Sequence, residues 1–127
     1  MWPHILRLTV ALLGIALVVI GVVALLAPGF AAASYGVDAT TPSALAFVRA
    51  AGVRDTAIGA IFLALLARRV ENTTLGIVVL VATLIPIVDS VIVLETSGVR
   101  LPVFIHAGSI LPLIVLAIAL IGVRDAD

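Results

Sequence analysis

The chain has no cysteine, no lysine and only 11% charged residues among its 127 positions. Without cysteine there is no disulfide, no thiolate nucleophile and no Cys-ligated metal, so nothing in the residues fixes a redox compartment. Seven scattered arginines against seven acidic residues leave a formal net charge of zero. No basic stripe is available for nucleic acid, and nucleic-acid partners are excluded. His4 and His106, the two histidines, lie far apart and form no His-x-x-x-His pair, so no zinc site is expected. Phosphate loops, nucleotide fingerprints and nucleophile motifs are missing too, and no cofactor is implied.

What is abundant is apolar: 64% of residues are hydrophobic and the mean hydropathy is +1.40, which excludes an ordinary water-soluble domain. Four apolar runs, about 5–26, 44–66, 75–94 and 101–123, each approach the ~20 residues a helix needs to cross a ~30 Å hydrocarbon layer. The fold class expected is all-α: one four-helix transmembrane bundle of antiparallel up-down topology over residues 1–127. Punctuation between the runs agrees. Pro28-Gly29 closes the first, Thr41-Pro42 supplies a cap and a first-turn proline, Asn72-Thr73-Thr74 caps the third, and Ser97-Gly98 with Pro102 opens the fourth.

Arginine bias gives the orientation. Arg7, Arg68, Arg69 and Arg124 fall on one side and Arg100 on the other, which places both termini in the cytoplasm of a multi-pass protein of the cell membrane. Trp2 suits the inner interface, and Phe30, Tyr35, Phe47 and Phe104 the outer one. Arg7, the first run and Ala31-Ala32-Ala33-Ser34 have the order of a cleavable signal peptide, but the run exceeds the ~7–15 residues of its apolar region, so retention of the first span is expected. The two halves share no polar pattern, and an inverted-repeat carrier is unsupported.

Charges inside the spans are the informative feature. Arg49, Arg54 and Asp55 lie in the second span and Asp89 in the third. Each would oppose insertion by about 2.5–3.5 kcal/mol, so all must face the bundle interior. Counting inward at 1.5 Å per residue places Arg49, Asp89 and His106 in one layer, roughly 8–9 Å deep, and Arg54 and Asp55 in a second, roughly 17–18 Å deep. On this count Asp89 pairs with Arg49, with Arg54 as competitor, and His106 donates to Asp89. Arg54 and Asp55, pointing about 100° apart, do not serve one another. Pro86 and Pro112 strip the carbonyls of Ala82 and Gly108 of their helical donors. Thr56, Thr83, Ser90 and Ser109 read as packing or back-bonded hydroxyls, and Gly52, Thr56 and Gly59 as a stripe for close helix approach.

Gly52-Val53-Arg54-Asp55 with Gly59 in the second span, followed by Asp89 in the third, resembles an uncharacterised bacterial four-span family known only as a domain of unknown function. The resemblance covers nearly the whole chain and implies a four-helix membrane protein with no established activity. The small multidrug resistance transporters are similar in size, but their membrane-embedded glutamate lies in the first helix, where this chain has only Arg7 and Thr9 near one end.

The residues point to a polar pocket in the bilayer that binds a small lipophilic or anionic ligand. Arg49 and Arg54 would hold an oxygen of the ligand, and Asp55, Asp89 and His106 would move a proton if the pocket is that of an intramembrane isomerase or cyclase. Two alternatives stand beside it: a proton-coupled transporter, which at four spans requires a homo-oligomer, and an accessory subunit whose charges serve only packing.

Overall fold

The structure, a computed structural model, describes residues 2–98 and 101–123, except for the side chains of Ser97 and Pro102. Every regular element among them is a helix: α1 (Trp2–Leu26), α2 (Pro28–Tyr35), α3 (Pro42–Ala67), α4 (Asn72–Ala82), α5 (Leu84–Ser97) and α6 (Leu101–Gly122). Four stretches are long and apolar enough to cross a membrane: Trp2–Leu26, Pro42–Ala67, Asn72–Thr96 and Val103–Gly122. They match the four apolar runs of the sequence. Large apolar side chains such as Leu12 and Ile118 face outward, 59% and 62% exposed, an outer surface suited to lipid.

Local chemistry accounts for most boundaries. Thr41 is extended at the start of α3 and accepts the Ala44 N–H at 3.2 Å, while Pro42 occupies the first turn, where a missing donor is harmless. The third span, read from the sequence as one run, is interrupted. Pro86 has no N–H for the Ala82 carbonyl, so the ladder breaks one turn earlier and Thr83 separates α4 from α5. Pro112, by contrast, sits inside an uninterrupted α6.

Two boundaries differ from expectation. Asn72 is the first residue of α4 instead of its cap; it is buried, and its Oδ1 accepts from Arg7 Nη1 at 3.1 Å while the same nitrogen donates to the Val70 carbonyl at 2.8 Å. Arg7, read only as an orientation signal, thus ties α1 to the α3–α4 connection. The stretch after Pro28, expected as a loop, forms α2. Its buried Ala31 and Ala32 let it lie close against α1 and α3, and it ends at Gly36, whose φ of 75° permits the left-handed turn that stops the helix.

Packing divides the bundle into two pairs, α1 with α3, and α6 with α4 and α5. The first pair meets along glycines: as α1 advances from Gly14 to Gly21, its neighbour recedes from Gly59 to Gly52. A Cβ on Gly59 would lie 2.5 Å from the Gly14 carbonyl oxygen and one on Gly52 2.7 Å from that of Gly21, so only glycine allows this approach. Gly76 plays the same part against Ala117 and Leu120. The pairs join at one end through Leu6, Val10, Phe62, Leu75, Val79 and Leu120, all buried. Toward the other end the space between them is unfilled.

Candidate functional site

Four hydrogen-bonded side chains occupy that unfilled end. The guanidinium of Arg54 is forked onto Asp89, Nη1 to Oδ1 at 3.2 Å and Nη2 to Oδ2 at 3.0 Å, and its Nε donates to Asp55 Oδ1 at 3.0 Å. The other oxygen of Asp55 accepts the Tyr35 hydroxyl at 2.8 Å. A continuous chain Tyr35–Asp55–Arg54–Asp89 therefore links α2, α3 and α5. Asp55 is almost fully buried, at 4% exposure, on the stripe that also carries Gly52, Gly59 and Phe62. Asp89 is mostly covered and the Arg54 side chain about one-third exposed.

This geometry corrects the expected pairing. Asp89 binds Arg54, and Arg49 is exposed with no ion-pair or hydrogen-bond partner among the described residues. A straight depth count ignores the lean of helical side chains toward the amino-terminal end of their helix. That lean brings the Arg54 head toward the start of α3 and into reach of Asp89, while Arg49 stays exposed, where a long cationic side chain needs no partner. Arg54 and Asp55 do bond to each other, although adjacent, because the flexible arginine stem folds its Nε back over the carboxylate. His106 makes no hydrogen bond with Asp89; its ring instead stacks on Tyr35, with centroids 5.5 Å apart and planes 5° from parallel.

Tyr35 is the member that the sequence reading missed. It reads as one more interfacial aromatic beside Phe30, Phe47 and Phe104, and those three are indeed 69%, 77% and 62% exposed. Tyr35 turns inward. The available signal was the small-residue run Ala31-Ala32-Ala33-Ser34 before it, which lets a short helix enter where bulkier residues would keep it out. Burial first, and then the charge of Asp55, hold the Tyr35 phenol well above its usual pKa, so it stays a neutral donor.

The hydroxyls expected to back-bond all do so: Thr56 to the Gly52 carbonyl at 2.8 Å, Thr83 to Val79 at 3.0 Å, Ser90 to Pro86 at 2.6 Å and Ser109 to His106 at 2.7 Å. None of these donors is directed at the cluster.

Two cavities flank the cluster. The larger, about 500 Å³, runs between the helix pairs, with walls such as Leu17, Ile58, Phe62 and Leu113 and with Tyr35, Asp55, Asp89 and His106 at its polar end. The smaller, about 370 Å³, lies toward the start of α3 and shares Tyr35, Asp89 and His106 with the first while adding Arg54. Arg49 lines neither. A volume of this size, apolar except for a few converging polar groups, has the make-up of a small-molecule site. No group of three or more His, Cys, Asp or Glu side chains among the described residues is arranged to hold a metal ion.

Comparison with known proteins returned no matching curated protein and no matching solved structure. A family model does match, over residues 14–125, a stretch that begins within the first span and includes the other three and every residue of the cluster. The chain belongs to the family described as Domain of unknown function (DUF4267).

Proposed function

We propose that this membrane protein binds a small lipophilic molecule within the bilayer, its apolar body in the larger cavity and its polar end at Asp55 and Asp89. The observation that carries the reading is the cavity itself, about 500 Å³ of apolar wall ending on a Tyr–Asp–Arg–Asp chain. Such a space is not needed for packing. The seam between α1 and α3 shows how closely these helices pack when nothing is to be accommodated, and a structural ion pair alone would favour the same closure.

Binding is favoured over turnover by the state of the carboxylates. Both oxygens of Asp89 accept from Arg54, and those of Asp55 accept from Arg54 and Tyr35. Carboxylates whose oxygens already accept from the protein are directed at their partners and not at a substrate proton. The arginine bias of the connections supports a multi-pass arrangement in the cell membrane with both termini in the cytoplasm. A pocket formed within one chain requires no oligomer.

The test uses the full chain in phosphatidylcholine nanodiscs and a neutral photoreactive probe, a medium-chain aliphatic alcohol bearing a diazirine. Labelling should concentrate on Leu17, Ile58 and Leu113, which face the cavity. Equal labelling of Leu12 and Ile118, which face outward, would show that the probe only samples lipid and would end the reading.

A further inference from the structure

Among the described residues, the cavity's polar end is unbalanced in charge. Arg54 brings one positive charge to two carboxylates, Tyr35 is a neutral donor, and Arg49, which would have restored neutrality, lies exposed and apart. The titratable and charged side chains at this end are thus Tyr35 from α2, Arg54 and Asp55 from α3, Asp89 from α5 and His106 from α6. A surplus negative charge beside an apolar cavity is costly unless a proton or another cation meets it.

Arg54 offers little to an anion. Its Nε, Nη1 and Nη2 are all directed at carboxylates, so an anionic head group would have to displace Asp55 or Asp89 and then lie beside them. Tyr35 and His106, by contrast, place two stacked rings beside the charged end, lining both cavities, and the face of a tyrosine ring attracts an ammonium. The apolar walls beyond suit an alkyl chain.

We propose that the site selects a lipophilic organic cation, an amphiphile whose amine or quaternary ammonium head sits between Asp89, Asp55 and the Tyr35–His106 pair while its hydrocarbon part fills the larger cavity. The proposal rests on the reading of that cavity as a binding site and adds the sign of the ligand's charge. It also narrows the ligand class: the anionic alternative is set aside because the guanidinium is already held.

The experiment is a competition against the neutral diazirine alcohol in phosphatidylcholine nanodiscs, with decyltrimethylammonium, 1-decanol and decyl sulfate as competitors. The ammonium should displace the probe at about one-tenth of the alcohol concentration, and decyl sulfate should be weakest. Tyr35 is the sole tyrosine, so an ultraviolet difference spectrum that appears with the ammonium and not with the sulfate reports occupancy at the aromatic pair independently of labelling. In Asp89→Asn the ammonium should fall to the potency of the alcohol, while Arg49→Gln should preserve the order. Should Asp89→Asn fail to fold, the order of potency in the unmodified chain still decides. Equal potency of ammonium and alcohol would mean that a proton balances the cluster and would overturn the cation proposal while leaving the cavity reading intact. Decyl sulfate as the strongest competitor would overturn it in favour of an anion, and failure of the neutral probe to label the cavity would remove both readings together.

Discussion

Helix α3 has two edges that behave in opposite ways. Along Gly52 and Gly59 it meets α1 at backbone contact, with no room for even a methyl group. Along Arg54, on the other side, it reaches toward α5 across a cavity, and the gap is bridged by long polar side chains instead of being closed. In lipid the hydrophobic effect does not drive helices together, so contact depends on van der Waals fit and on polar bonds. The glycine edge uses the first and leaves no space. The charged edge uses the second, and a guanidinium reaching across to a carboxylate holds helices at a distance that permits an interior space. One helix can therefore be both the fixed wall of the bundle and the polar wall of its pocket.

The largest expected effect comes from removing the bridge. Arg54→Met would leave Asp55 and Asp89 covered and without their cation, and should lower stability by about 3–5 kcal/mol, the range for breaking a buried pair. Reversible unfolding in mixed micelles measures it, and a loss under about 1 kcal/mol would show that the charged edge is no part of what holds the pairs together.

Next comes the glycine edge. Gly21→Ala would set a Cβ against Thr56 Oγ1 and 2.5 Å from the Gly52 carbonyl oxygen, so α1 and α3 must move apart. A loss of about 1–3 kcal/mol is expected, as for overpacking generally. If the substitution were neutral, the two edges would not differ in the way their geometry indicates.

Smaller is the response of Tyr35 to alkali. Its phenol is held above the usual value of about 10, so the folded chain prefers the protonated form; stability is fully present below that pH and declines as pH rises beyond it. With one tyrosine in the chain, tyrosinate absorbance reads this group alone, and the midpoint should drop toward about 10 on unfolding. A midpoint near 10 in the folded protein would contradict the buried bond to Asp55.

Smallest is Arg49→Gln. An exposed arginine with no partner among the described residues should change stability by no more than about 0.5 kcal/mol. Set beside Arg54→Met in the same assay, it asks whether two arginines five positions apart on one helix differ as sharply as their surroundings.

That contrast also marks where the sequence is readable. Thr41, Pro42 and Pro86 act within a turn of their own position, so their consequences follow from local chemistry: the α3 cap appears as expected, and α4 ends at Ala82, the residue whose carbonyl Pro86 leaves without a donor. Arg49 and Arg54 have the same side chain and lie five positions apart in the same span. Which one meets Asp89 depends on helix rotation, on side-chain lean and on the spacing set by the glycine seam, none of which residue counting supplies. Tyr35 was harder still, because a tyrosine beside other aromatics at a span end has an ordinary interfacial explanation.

Composition and periodicity by themselves determined that four stretches of this chain are helical and of membrane-crossing length. Hydrocarbon offers the backbone no hydrogen bonds, and a run of some twenty apolar residues has to satisfy its own. Tertiary structure alone decided that α2 delivers Tyr35 to Asp55, that Arg54 and not Arg49 holds Asp89, and that an unfilled volume remains beside them. Those outcomes turn on angstrom differences in how helices approach, and such differences arise from side chains far apart in the chain that meet only once it has folded.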